Sequence, residues 1–208
     1  SDQLNTSFVH GMSWFIFSEV MFFFAFFLAL GYVRIFAVPW LGGEGEKGIA
    51  NILWPGFEAS WPLMETPDNE RFPGAHHNMS IPALSKIHTW LPFWNTLCLV
   101  TSSGTIALAE AALKKGNRKG FKLWMVATLT LGYIFVVLQS VEYYEAYAHM
   151  GLTLGAGIYG TTFFLMTGFH GFHVCLGAII LTIMTIRGFR GAFSEHEHFG
   201  LAAGSWYW

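Results

Sequence analysis

The chain has 208 residues, of which 53% are hydrophobic, 18% aromatic and only 12% charged. Soluble domains carry about a quarter charged residues, so this composition excludes an ordinary water-facing surface. A formal net charge of −2, with no basic stripe interleaved with aromatics, excludes the electrostatic footprint of a nucleic-acid binder.

The first ten residues, SDQLNTSFVH, lack the basic start of a secretory signal. The chain does not begin with Met and stops at Trp208 within an apolar run, so both ends are expected to be incomplete. A first apolar segment is predicted from about Met12 to Val38, with Glu19 and Arg34 as its charged residues and Pro39 as its stop. Residues 39–88 form a long polar connection rich in Gly, Pro and Trp, expected to lie outside the membrane. Its tryptophans, Trp40, Trp54 and Trp61, suit the headgroup level. A second apolar segment is predicted over 89–112, a third over 123–147 and a fourth over 155–186. A fifth begins near Gly200. The fold class is therefore all-α: a polytopic transmembrane helix bundle with four complete helices and the start of another. One membrane domain covers residues 1–208.

The fourth segment holds IYGTTFFLMTGFHGFHVCLG, residues 158–177. Gly168 and Gly171 permit close approach of another backbone, and His170 and His173, three apart, are predicted to share a face. That face is expected to meet a partner. The two cysteines, Cys98 and Cys175, each lie alone in an apolar run and read as small buried hydrophobes. Basic residues set the topology. The 114–122 hairpin carries Lys114, Lys115, Arg118, Lys119 and Lys122, and the 187–199 link carries Arg187 and Arg190. The long loop has only three basic residues against six acids. The bias toward basic residues inside therefore places the N-terminus, the hairpin and the 187–199 link in the cytoplasm or matrix.

Glu19, expected about two turns into the first helix, sits among Phe and Val, where a charge costs roughly 2.5–3.5 kcal/mol at the centre of a span. Either a proton-related or lipid-contacting role or a hydrogen bond to a neighbouring helix accounts for it. Glu142 and Glu145, predicted to share a face, could join His170 and His173 in a metal site, as in carboxylate-bridged di-iron bundles. Those bundles pair Glu with His three apart, however, and here Glu pairs with Glu and His with His. The histidines also lie ~22–27 Å along their helix from the end where the carboxylates sit. The four are expected to remain apart, serving as polar packing positions. Arg187, His198 and Trp206, with Tyr207 and Trp208, are placed at the inner boundary, where they suit lipid headgroups or ordinary anchoring. His76 and His77 are expected to face solvent.

FIFSEVMFF, LPFWNT with SSGT, LGYIFVVLQSVEYYEA, YGTTFFLMTGFHGFHVCLG, and HFG with AAGSWYW together resemble subunit III of the cytochrome c oxidases. The related quinol oxidase subunit shares the architecture and is the alternative within that superfamily. The resemblance implies that the predicted segments correspond to helices three to seven of a seven-helix fold. It implies an accessory subunit with no catalytic, cofactor-binding or metal residues of its own, heme a and copper residing in partner subunits. Such a subunit packs on the catalytic subunit I, joins subunit II in the complex, holds phospholipids and supports proton uptake. Glu19 falls on the family's membrane-embedded carboxylate, and Arg187 and Trp206 on positions linked to lipid headgroups. Where the family often has Ala-His-His, this chain has Ala109-Glu110-Ala111. The long 39–88 loop implies a bacterial inner-membrane version, the mitochondrial inner membrane being the eukaryotic equivalent. A stand-alone membrane metalloenzyme built on Glu142, Glu145, His170 and His173 is the reading from a different class. A proton conductor relaying through Glu19 is a third, disfavoured because the helix beyond it is nearly all Phe, Ala and Leu.

Overall fold

The structure is a computed structural model that describes residues 2–193 and 199–208. Its helices are α1 (Asp2–Tyr32), α2 (Val38–Leu41), α3 (Leu91–Lys114), α4 (Arg118–Ala148), α5 (Ile158–Phe189) and α6 (Phe199–Tyr207). There is no strand among the described residues. Among the described residues, four stretches are long and apolar enough to cross a membrane: Gln3–Leu41, Leu91–Lys114, Arg118–Ala148 and Ile158–Phe189. The all-α fold with four spans is as expected, and α6 begins where the fifth segment was placed.

Several boundaries differ, each for a local reason. α1 starts ten residues before Met12, because the polar lead-in DQLNTSFVHG remains helical. Glu19 is thus near the middle of the first span instead of two turns into it. Pro39 does not stop that span. A π-helical stretch, Val33–Ala37, bonds the Val38 N–H to the Val33 carbonyl, and α2 then takes Pro39 in its first turn. Proline donates no N–H, and it follows closely on the π turn, where the helical bond pattern is already interrupted. α4 starts five residues early, capped by Asn117, whose side-chain oxygen accepts the Gly120 N–H at 2.9 Å. Just before it, Gly116 at φ 68° closes α3. The Gly116 N–H reaches the Leu113 carbonyl and the Asn117 N–H reaches Ala112, a Schellman closure that needs a left-handed residue.

The chain divides into two compact units. The first comprises residues 1–19, 83–141 and 170–208; the second comprises residues 20–82 and 142–169. α1, α4 and α5 each contribute to both.

The first unit is a helical bundle. Its core joins Ile106, Ala109 and Leu113 of α3, Phe121 and Met125 of α4, Leu181 of α5, Leu201 of α6, and Phe193. Lipid is as apolar as leucine, so close packing and polar contacts must hold such helices together. Buried Thr105 and Thr128 meet at 2.7 Å between α3 and α4, and Tyr133 meets Thr182 at 2.9 Å between α4 and α5. Other hydroxyls, such as those of Thr96, Thr130 and Thr185, bond carbonyls one turn back in their own helix. That satisfies them inside hydrocarbon without a partner helix. α6 enters by its C-terminal aromatics. The Trp208 indole N–H donates to the Ser102 hydroxyl at 2.9 Å, and its ring lies over Gly132 and Gly177.

The second unit wraps the long connection onto helix ends. Val38 packs with Phe57 and Leu63, and Ala75 with Ala146, Leu152 and Ala156. The Met150 carbonyl accepts the N–H groups of His76 and His77, and the Tyr159 hydroxyl accepts that of Met79 at 3.1 Å. Within this unit residues 39–82 are therefore folded, not a loose loop, with a short 3-10 turn at Gly48–Ile52; residues 83–88 and the 3-10 turn at Leu84–Thr89 fall in the first unit.

A methyl group on Gly132 would sit 2.6 Å from the Trp208 ring, whereas one on Gly11 would meet nothing within 4 Å. Gly132→Ala is expected to lower stability by about 1–3 kcal/mol, the usual cost of overpacking. Gly11→Ala should be neutral or slightly stabilising. Thermal unfolding of the two variants in the same detergent checks this, and equal midpoints would contradict the packing described.

Candidate functional site

Glu19 lies on a stripe of α1 with Met12, Ile16, Phe23, Phe26 and Leu30, all half-covered while most of the helix is exposed. The spacing alternates between four and three residues, the period of one helix face. Glu19 is the acidic member of that seam, and it meets α5. Its Oε2 lies 3.1 Å from His173 Nδ1. The other ring nitrogen, Nε2, lies 3.0 Å from the Tyr207 carbonyl oxygen of α6. The imidazole also stacks on the Tyr207 ring, with centroids 4.0 Å apart and planes 14° apart. Phe15 covers the far side of Tyr207 at 6.0 Å and 18°. One turn of α1, the middle of α5 and the end of α6 thus converge on a single histidine.

This geometry restricts the protons. A backbone carbonyl only accepts, so Nε2 must carry the hydrogen it shares with Tyr207. Nδ1 then faces the carboxyl with one proton between them. Either Glu19 is neutral and donates to a neutral imidazole, or Glu19 is ionised and accepts from an imidazolium. Both arrangements have zero net charge, which is what low-dielectric surroundings favour. Moving the proton between them therefore creates no net charge. Relative exposures of 33% for Glu19 and 20% for His173 leave the pair reachable from the surface of this chain.

The remaining sequence-selected residues are placed as follows. His170 is half-buried with its ring edge-on to Phe135 at 5.8 Å. A Cβ on Gly168 would lie 3.3 Å from the Tyr143 hydroxyl, and one on Gly171 would lie 3.9 Å from Gln139. The glycine and histidine side of α5 thus packs on α4 of this chain. The exposed side of α5 is instead the run Leu165, Phe169, Phe172, Leu176, Ile179, Ile183 and Ile186. Glu142 is buried at 7% exposure and Glu145 is exposed. Three residues turn a helix by about 300°, leaving the pair roughly 60° apart, enough to separate core from surface here. Among the described residues no three of His, Cys, Asp and Glu come together as metal ligands.

Arg187, in the last turn of α5, is exposed and lies over the Phe193 ring at 5.6 Å. Trp206 is 48% exposed. Tyr207 and Trp208 are not boundary anchors, since the first is buried against His173 and the second is bonded to Ser102. A nine-residue α6 already reaches the bundle interior. His198 lies outside the described residues. Cys98 and Cys175 are free and half-buried, less enclosed than expected. His76 and His77 are exposed, as predicted.

Sequence reasoning missed Tyr207 as a partner of His173. Residues 7–32 are so uniformly apolar that their covered seam does not stand out.

The sequence pattern of the family described as cytochrome c oxidase subunit III matches residues 73–208. The chain belongs to that family. It is 36% identical over 199 residues to cytochrome c oxidase subunit 3 of Oryctolagus cuniculus, covering 96% of this chain and 62% of the relative. It is 35% identical over 200 residues to the Arabidopsis thaliana protein of the same name, covering 96% and 61%. This subunit III family member therefore spans a little over three-fifths of the length of the curated relatives it matches.

His173→Phe retains a ring to stack on Tyr207 but removes both hydrogen bonds. It should cost about 1–3 kcal/mol, the penalty for stranding polar partners. In a double-mutant cycle with Glu19→Leu, the two losses should fall short of additivity by about 0.5–3 kcal/mol, as for residues in contact. Denaturation midpoints in detergent supply the cycle. Additive losses would contradict the coupling.

Proposed function

We propose that this chain is the accessory, non-redox subunit of a proton-pumping cytochrome c oxidase in aerobic respiration, with Glu19 and His173 as its proton-handling pair. Family membership supports the assembly: the chain packs on the catalytic subunit I, within a complex that also holds subunit II, and heme a and copper belong to those partners. The observation that carries the proton role is the 3.1 Å contact of Glu19 with His173 in the middle of two spans. A carboxyl and an imidazole that share one proton can pass it between them without creating net charge. The pair serves as a proton reservoir or a short branch feeding the inner surface, not a complete channel. Beyond Glu19, the covered face of α1 continues as Phe23, Phe26 and Leu30, which carry no proton.

The chain resides in a respiratory membrane as one membrane domain, a reading supported by three helices that run through both compact units. The excess of Lys and Arg in the 114–122 hairpin and at Arg187 and Arg190 supports the N-terminus and the 114–122 hairpin on the cytoplasmic or matrix side. Exposed Arg187 and Trp206 are positioned to hold phospholipid headgroups on that side.

In the assembled oxidase, Glu19→Gln retains volume and hydrogen bonding but cannot release a proton. It is expected to lower both sustained turnover and the rate of proton uptake, measured with a pH-sensitive dye during steady-state oxygen consumption. Unchanged values of both would overturn the proton role. Pull-down from native membranes should bring heme a and copper in a larger partner. Stoichiometric metal left on this chain after stripping would overturn the accessory role.

A further inference from the structure

Three methionines lie outside the membrane spans, Met64, Met79 and Met150, and all three pack on one spot of the second unit. At its centre are Ala75, Ala146, Leu152 and Ala156, all buried. Backbone contacts knot the three segments together. Gly74 lies against the Met64 carbonyl, and the Met79 N–H reaches the Tyr159 hydroxyl at 3.1 Å. The Met150 carbonyl accepts the N–H groups of His76 at 2.9 Å and His77 at 3.3 Å. The His76 imidazole lies along Gly151, next to Met150, where an added Cβ would sit 3.2 Å from its Nε2.

A core methionine ordinarily fills an irregular gap among larger apolar side chains. Here three of the four central residues are alanine, and the methionines sit around them, each only half-buried. Tyr159, Phe163 and Phe164 cover part of the same spot, while His76 and His77 stand exposed beside it. The donor set is soft and neutral: three thioether sulfurs and an imidazole. Both cysteines belong to the other unit. Thioethers select Cu(I), whereas structural zinc takes thiolate and imidazole, and magnesium and calcium take oxygen. Methionine is unbranched, with three rotatable bonds, so its sulfur can turn toward an ion while the backbone stays in place.

We infer that Met64, Met79, Met150 and His76 form an exchangeable Cu(I) site outside the membrane spans, three thioethers and one imidazole supplying the ligands. Binding involves no electron transfer, because the ion arrives as Cu(I). It is reached from solvent past the exposed imidazoles, so chelators withdraw it and a chain stripped in their presence stays metal-free. The site does not depend on the proton role of Glu19, which lies in the other unit.

The full chain in maltoside detergent, carrying Cys98→Ala and Cys175→Ala to remove competing thiols, is labelled with carbon-13 in the methyl groups of its 8 methionines. It is titrated with Ag(I), the redox-inert counterpart of Cu(I). The signals of Met64, Met79 and Met150, assigned by their loss in single Leu variants, should shift together and saturate at one ion per chain. The methionines within the spans should stay still, and Zn(II) should shift none of the three. Competition with a coloured Cu(I) chelator under ascorbate then reads the affinity for Cu(I) itself. Met79→Leu, close to the same volume, and His76→Ala, at an exposed position, should each weaken it about tenfold or more, at least what loss of a supporting partner costs a metal site. If Met79→Leu does not fold, His76→Ala and the methyl signals of the unsubstituted methionines still decide. No shift, shifts confined to the span methionines, equal shifts with Zn(II), or an affinity indifferent to His76→Ala would each overturn the inference.

Discussion

His173 is the residue on which the arrangement of the first unit turns. Nδ1 of its ring meets Glu19, Nε2 meets the Tyr207 carbonyl, and a ring face meets the Tyr207 ring. In hydrocarbon an unanswered carboxyl or imidazole is expensive, so each partner fixes the others. α1 is held to α5 at one depth because Glu19 has to meet Nδ1. α6 is held because Nε2 has to meet a carbonyl. The chemistry follows from the same constraint. With Nε2–H committed, a single proton remains between Glu19 and Nδ1, and its transfer from one to the other leaves the packing and the net charge unchanged.

The surrounding contacts explain why such a site can persist in a membrane helix bundle. Helix association in lipid gains little from burying apolar surface, and individual interhelical hydrogen bonds average only ~0.6 kcal/mol. This fold therefore uses several. Thr105 with Thr128, Tyr133 with Thr182 and Trp208 with Ser102 tie α3, α4, α5 and α6 together in the first unit. Tyr143 with Thr167 ties α4 to α5 in the second. Gly132 and Gly177 make room for the Trp208 ring, so the indole that reaches Ser102 is also the one those glycines accommodate. α1, by contrast, joins through one seam and leaves Trp14, Phe17, Phe24 and Phe27 exposed.

Hydropathy alone revealed the four spans, and the motif set revealed the family. Residues such as Asn117 were legible in principle, since Gly followed by Asn between two apolar runs is a stop and a start. Pro39 was read as a stop because a proline usually is one. The π turn that lets the helix continue depends on five backbone groups, none with a distinctive side chain. Glu19 stood out as a charge in an apolar run, but its partner lies 154 residues away. No local pattern links them. Tyr207 was hidden for a related reason, because a Trp-Tyr-Trp cluster reads as an interfacial belt until the register of α6 turns two of the three inward. The meeting of Met64, Met79 and Met150 was invisible because a connection of fifty residues without periodicity gives no hint that it folds back on its helices.

The central claim is that Glu19 and His173 form one protonation unit anchored by Tyr207. It is tested most directly by the nitrogen-15 spectrum of histidine-labelled protein, with His173 assigned by its loss in His173→Phe. The account predicts that His173 Nε2 stays protonated across neutral pH, and that the Nδ1 signal moves when Glu19 is replaced by Gln. An unprotonated Nε2, or an Nδ1 signal indifferent to Glu19→Gln, would contradict it.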